Sequence, residues 1–387
     1  MLIWLNLLIP ILAIAVLAIF FRKKMAWWEY LLVFLVPLVA IGTCKYVSVI
    51  AQTNTSEQWN SYVTEAKYYE PWDEWVHQTC YRTVSCGKNC TSQVPYDCSH
   101  RVYHPAEWKV TDNIGRTYGI NQSYYQYLTG LWCNQVFVDL NRNYYRQDGN
   151  MYKLSYTGDF EKLIPLSTKH TYVNKVRSSR SVFNFQEIHS DDVKKYGLYD
   201  YPKHGMFKGT EDLINYNPIY GWSDPNDSKK LQRYNGLLGN NKRVHMLILI
   251  FKNQPYEAGV MQEAYWKGGN KNEFILCIGL SGKRISWTKV ISWTDVNELK
   301  VYVARKVKEM DTLSMPAVVD FMTGEVKQKF VKKDFKDFDY LAVEPSDRAV
   351  LIAFILTLVF TIGLAIFSIM NGISVDGESS TLKRRRY

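Results

Sequence analysis

Catalytic signatures are what this sequence most plainly lacks. It contains no His-Glu-x-x-His, so the familiar zinc-protease helix is absent. Gly279-Leu280-Ser281-Gly282-Lys283 approaches two motifs and satisfies neither. A phosphate-binding loop needs glycine where Cys277 stands and Ser or Thr where Arg284 stands. A nucleophile elbow needs glycine in place of Lys283. The stretch reads instead as a hairpin turn. Histidine is scarce, with seven in 387 residues, and the wide spacing of His170, His204 and His245 suggests no acid–base pair. His189-Ser190-Asp191-Asp192 could offer metal ligands, but a solvated turn opening an Asp-capped helix is the simpler reading. No catalytic residue and no cofactor is named on this basis.

Positive charge is also thin where a nucleic-acid partner would need it. The net charge is +10, of which residues 1–50 hold +3 and residues 348–387 another +3, leaving +4 across 51–347. A middle region so weakly charged excludes nucleic acid as the expected partner. The excess sits in two knots, Arg22-Lys23-Lys24 and Lys383-Arg384-Arg385-Arg386.

Three stretches lack charge almost entirely. Leu2 to Phe21 is an uncharged run of about twenty residues, the length needed to cross ~30 Å of hydrocarbon. Residues 27–50 form a second span with an uncharged core from Tyr30 to Cys44; Trp27 and Trp28 suit an interfacial belt, and Glu29 and Lys45 are close enough to its ends to snorkel. Residues 349–370 form a third, with no charge at all. Residues 22–26 would be a short cytoplasmic loop and 371–387 a basic cytoplasmic tail. The topology determinants Arg22, Lys23, Lys24, Lys383, Arg384, Arg385 and Arg386 then agree in placing 51–347 outside. A rival topology takes Arg22–Lys24 and Leu31–Ile41 as a cleavable signal ahead of Cys44, although Thr43 stands where a lipidated cysteine wants Gly or Ala.

Cysteine in the exported region is even in number: Cys80, Cys86, Cys90, Cys98, Cys133 and Cys277. An oxidising compartment makes all six disulfide candidates, with two local bridges among the first four. The spacing contains no Cys-x-x-Cys, so zinc at Cys80, Cys86, Cys90 and Cys98 is the minor alternative.

Along the exported region, Trp59, Val63, Ala66 and Tyr69 fall at helical spacing and predict a stalk helix within 51–76. Residues 77–240 read as mainly β, rich in Cys and Tyr, with strands over Gln135–Leu140, Met151–Tyr156 and Ser181–Ile188 and a loop-rich stretch over 210–240. Residues 241–347 read as an α/β subdomain. Val244–Phe251 and Phe274–Leu280 are buried strands around a helix at Tyr256–Lys267 bearing a Glu263–Lys267 pair. A hairpin edge at Arg284–Trp293, a helix from an Asp295-x-x-Glu298 cap to Met310, and strands at Glu325–Phe330 and Phe338–Val343 follow. The fold class expected is α+β and membrane-anchored, with a mainly β part followed by an α/β layer.

The order VHMLILIF, helix ending in Trp266, glycine-containing loop, FILCIGL and capped helix resembles the TPM domain over residues 243–312. The resemblance implies a membrane-tethered extracytoplasmic module and, in some members, metal binding or phosphatase activity. TPM domains usually carry acidic residues around the loop before the second strand. Here that loop is Lys271-Asn272-Glu273, with one carboxylate.

The expected function is therefore a multi-pass cell-membrane protein, its N-terminus and main domain outside and its C-terminus in the cytoplasm. It would present a disulfide-stabilised domain for binding or scaffolding at the cell envelope. Its partners would be the lipid bilayer and another envelope or membrane protein. The alternative is an envelope enzyme, a TPM-like phosphatase or a hydrolase of cell-surface polymer. Sequons at Asn54, Asn89, Asn121 and Asn226 are available if the host glycosylates exported proteins.

Overall fold

The uncharged runs fold as three long helices. In the computed structural model, which describes residues 2–21, 25–87, 90–140, 150–179, 185–202 and 217–371 (85–87, 90 and 371 by backbone alone), α1 (Leu8–Phe20) follows a 3-10 turn over Leu2–Leu7. α2 spans Trp27–Thr53 and α9, the last helix of the chain, spans Asp347–Asn371. All three segments are long and apolar enough to cross a membrane. Ile3, Ile41 and Ala353 pack together at one end of the bundle, and Leu17, Val33 and Leu364 group at the other. The helices therefore alternate in direction. The start of the chain, the exit from α2 and the entry to α9 share one end; Phe21, Met25 and Ile369 share the other. Ser346 donates its backbone N–H to Ser48 Oγ at 3.0 Å, and Gln52 Nε2 donates to the Glu344 carbonyl at 3.1 Å, tying α2 to α9 at the first of these ends.

Residues 1–55, 171–184 and 335–387 form one compact unit, and residues 56–170 and 185–334 form a second. The second unit begins with a correction. The predicted stalk helix is a strand, β1 (Asn54–Tyr69), pairing antiparallel with β6 (Glu107–Asp112) and β9 (Asn150–Ser155). Its helical spacing has a physical origin. Between Val63 and Glu65 a bulge sets two residues of β1 against one of β6, which reverses the inward and outward phase. Val63 and Ala66 both reach the core at an interval of three, the interval of a helix face. β7 (Thr117–Ile120), β8 (Val136–Asp139) and β10 (Pro165–Val173) complete a six-stranded sheet, covered by α3 (Gln122–Trp132) through Tyr125, Leu128 and Trp132.

Between β1 and β6 the chain makes two nested antiparallel ladders. β2 (Trp72–Val76) pairs with β5 (His100–His104), and β3 (Thr79–Gly87) pairs with β4 (Cys90–Asp97). Cys80 and Cys98 form a disulfide at the joint between the two ladders, with Cα atoms 5.8 Å apart. The ribbon leaves Trp75, Tyr81, Tyr96 and Tyr103 exposed.

Downstream, apolar runs buried on both faces make a mixed sheet in the order β11 (Ile219–Tyr220), β12 (His245–Lys252), β13 (Glu273–Ser281), β14 (Arg284–Ser292). The first three strands run parallel and β14 antiparallel. α5 (Pro225–Asn241), α7 (Asn297–Glu309) and α8 (Met315–Lys329) bury Leu231, Val303 and Met322 on the face of Ile248 and Leu276. α4 (Ser190–Tyr196) and α6 (Glu257–Tyr265) cover Leu249 and Cys277 on the other. Double coverage explains why VHMLILIF and FILCIGL show no alternation. The hairpin turn expected within Gly279–Lys283 is present between Ser281 and Arg284, with Gly282 at φ +61°.

Four further expectations are corrected. The loop-rich stretch contains α5, because Asp224 accepts from Asn226 N–H and Pro225 suits the first helical turn. Glu325–Phe330 is the end of α8, whose buried Val319, Met322 and Val326 follow helical spacing. Phe338–Val343 follows a 3-10 turn at Phe335–Phe338 without becoming a strand. Of Ser181–Ile188, residues 181–184 lie outside the described set and 185–188 have no regular structure. Two local details differ too: Asp295 pairs with Lys333 at 2.9 Å instead of capping α7, and Glu263 reaches Lys289 at 2.9 Å.

Candidate binding site

The N-terminal half of β1 is polar and buried at once. Glu57 is fully buried, Gln58 and Ser61 are 1 % exposed and Asn60 is 3 % exposed. Buried polar groups require partners, and most here have them. Asn60 Nδ2 donates to the Val244 carbonyl at 3.2 Å, and Asn60 Oδ1 accepts from Ser167 Oγ at 3.1 Å. Ser61 Oγ donates to Asp112 Oδ2 at 3.0 Å. Asn270 and Asn272, at the start of β13, donate their amides to the carbonyls of Ser56 (2.8 Å) and Gln58 (2.7 Å). α5 lies so close to β1 that a Cβ on Gly239 would stand 2.1 Å from the Asn60 carbonyl oxygen, so only glycine fits there.

Glu57 is the electrostatic centre. Its Oε1 accepts from Trp59 Nε1 at 2.8 Å, stands 3.2 Å from His170 Nδ1, and lies 3.6 Å from both Lys271 Nζ and Lys332 Nζ. Trp59 and His170 stack with centroids 3.8 Å apart. Burial pulls the Lys332 ammonium below the ordinary lysine value, Glu57 opposes that shift, and Lys271 and Arg243 add to it. Beside this cluster Glu273, also fully buried, accepts from the Asn270 N–H at 2.7 Å and from Tyr201 OH. Burial raises its pKa above 4.5 despite those bonds.

That shift carries a signed prediction. Between the ordinary carboxylate range and the raised folded value, the folded state keeps a proton that the unfolded chain has lost, so stability falls as pH rises. Glu273→Gln removes the titrating group. The difference in urea midpoint between variant and wild type is therefore expected to move in favour of the variant as pH is raised from about 4.5 to 7. A pH-independent difference contradicts the assignment.

A cleft of 160 Å³ opens beside Gln58 and Trp59, bounded by Arg116 from the β6–β7 turn, by Asn240 and Arg243 from the end of α5, and by Asn272. Two of its lining residues, Gln58 and Asn272, each carry a buried side-chain oxygen (Oε1 and Oδ1) without a hydrogen-bond partner among the described residues. Arg116 lies over the Trp59 ring, 5.6 Å from its centroid, and donates to Thr168 Oγ1 at 3.0 Å. The arrangement puts unpartnered acceptors and two guanidinium groups, of which Arg116 also lies 3.9 Å from Asp112 Oδ2, on one cleft, and guanidinium groups suit negative charge.

No family model, curated protein or solved structure matches this chain.

Of the residues singled out from sequence, His170 and the loop Lys271-Asn272-Glu273 lie at this site, and the cysteines and His189–Asp192 do not. Cys80 and Cys98 are bridged, which removes two thiolates from the four-cysteine zinc alternative. The side chains of Cys86 and Cys90 lie outside the described set. Of the remaining disulfide candidates, Cys133 is an exposed free thiol and Cys277 a buried one, whose pKa burial raises. Among the described residues no group of three His, Cys, Asp or Glu side chains could hold a metal. His189-Ser190-Asp191-Asp192 forms a helix start in which Asp192 Oδ2 accepts from the His189 N–H at 3.1 Å. The basic knots Arg22–Lys24 and Lys383–Arg386 lie outside the described residues. Sequence reasoning passed over the cleft. Its one signal is five polar or charged positions, Ser56, Glu57, Gln58, Asn60 and Ser61, in a stretch that turns out to be a buried strand.

Proposed function

We propose that the chain is a multi-pass membrane protein that holds a disulfide-stabilised domain on the extracytoplasmic side and uses it for binding at the cell envelope. Three apolar helices and the Cys80–Cys98 bridge support the coarse reading of a membrane protein carrying a disulfide-bonded domain. The observation that carries the finer reading is the alternation of the helices. It gathers the exit of α2 and the entry of α9 at one end of the bundle and leaves Phe21, Met25 and Ile369 at the other, with Arg22–Lys24 between the first two in sequence and Lys383–Arg386 after the third. Basic knots favour the cytoplasm, so the opposite end faces out. A bridge that persists belongs to an oxidising compartment, which agrees in direction. The cleft supplies a binding role, and the exposed aromatic ribbon suits contact with another envelope or membrane protein. The test is thiol trapping in living cells followed by peptide mapping. The reading predicts that Cys80 and Cys98 are recovered as a linked pair from cells quenched with alkylating reagent. Recovery of both as alkylated thiols would mean that the domain resides in a reducing compartment.

A further inference from the structure

The cleft beside β1 tells more about its occupant than that one exists. Asn272 Nδ2 is committed to the Gln58 carbonyl at 2.7 Å, which fixes the amide orientation and leaves Asn272 Oδ1 as an acceptor facing no donor. Gln58 Oε1 is likewise buried without a partner, and Asn272 and Gln58 are 2 % and 1 % exposed. Buried acceptors of this kind call for hydroxyl or N–H donors from a guest. A metal ion would also satisfy oxygens, but the surrounding charge opposes it. Arg116 and Arg243 line the cleft, and Lys271 and Lys332 crowd the nearby Glu57.

Arg243 adds an independent observation. It follows the end of α5, where the chain turns left-handed, at φ +51°. Glycine is the residue that adopts this conformation without strain, and arginine carries a cost there. No ion pair or hydrogen bond to another described residue compensates it. A strained backbone that keeps a long cationic side chain at the mouth of a cleft is expected where the side chain serves a ligand.

We propose that this cleft binds a small hydroxylated anion of about one sugar ring, its hydroxyls donating to Gln58 Oε1 and Asn272 Oδ1 and its anionic group held by Arg243 and Arg116. The anionic group is a carboxylate, as in a sugar acid, or a phosphate, as in a sugar phosphate. The proposal rests on the binding role given to the domain above, though not on the side of the membrane the domain occupies.

The experiment is calorimetric titration of the full-length chain in detergent micelles with four probes: glucuronate, glucose 6-phosphate, glucose and acetate. One or both of the anionic sugars should bind, and whichever binds more tightly identifies the anion. Glucose, which lacks the charge, and acetate, which lacks the hydroxyls, should bind at least about ten-fold more weakly. Arg243→Gly separates binding from folding. It relieves the left-handed strain, so its melting temperature should equal or exceed that of the wild type while the anionic sugar loses about ten-fold or more in affinity. Asn272→Leu should weaken glucose and the anionic sugar alike. The proposal is overturned if neither anionic sugar binds at about 10 mM, if glucose or acetate binds as tightly as they do, or if Arg243→Gly leaves affinity unchanged. A failed titration alongside a Cys80–Cys98 pair recovered intact from cells overturns the ligand assignment alone. The converse result overturns the exported-domain reading and leaves the cleft assignment standing.

Discussion

Glu57→Ala is expected to destabilise the domain by about 3–5 kcal/mol, the cost of breaking a buried ion pair from one side. Its carboxylate is fully buried, and four groups converge on a single oxygen: Trp59 Nε1, His170 Nδ1, Lys271 Nζ and Lys332 Nζ. Deleting it removes the carboxylate that Lys271 and Lys332 share and leaves Lys332 to the repulsion of Lys271 and Arg243. Domains of this kind unfold at a cost of only about 5–15 kcal/mol, so the loss approaches the margin itself. The measurement is urea unfolding of the full-length chain followed by tryptophan fluorescence. A double-mutant cycle gives the cause. Lys332→Met removes one of the stranded charges, so Glu57→Ala should cost less in that background, with a coupling of about 0.5–3 kcal/mol. A loss below about 1 kcal/mol, or strict additivity with Lys332→Met, would show that the cluster is solvated and that Glu57 is not its centre.

How much of this was legible in the sequence depends on which force shaped each part. The three spans were readable because length and absence of charge are set by the bilayer and need no tertiary information. β12 and β13 were readable because a strand covered on both faces must be apolar throughout. β1 was not, since its bulge at Val63–Glu65 converts a strand's alternation into the interval of a helix. α8 is missed from sequence, with no element named over 315–324 and its last residues read as a strand from Glu325, although Val318, Met322 and Val326 form one helical stripe. α5 was hidden by Gly236, Gly239 and Asn240, which read as loop residues. In the fold Gly239 is required by the approach of α5 to Asn60. The cleft draws on β1, the β6–β7 turn, the end of α5 and the start of β13, four places far apart in the chain. No local pattern announces such a convergence. Its members look like ordinary polar residues until burial makes them costly.

The second large prediction concerns sidedness and is all or none. Alternating helices bring the exit of α2 and the entry of α9 to one end of the bundle, and the function proposed above puts the intervening domain on one side of the membrane. Arg22–Lys24 carry three positive charges and Lys383–Arg386 four. Each resists translocation, and the two knots act in the same sense. Replacing Arg22, Lys23 and Lys24 with neutral residues while leaving the tail intact should weaken this preference, and replacing both knots should leave orientation mixed. Protease treatment of intact cells or spheroplasts tests the central claim most directly, with one antibody against the domain and another against a C-terminal tag. The account predicts that the domain is digested from outside without permeabilisation, while the tag survives on a protected fragment containing α9. A domain that stays intact until the membrane is breached, with the tag cleaved from outside, would contradict it.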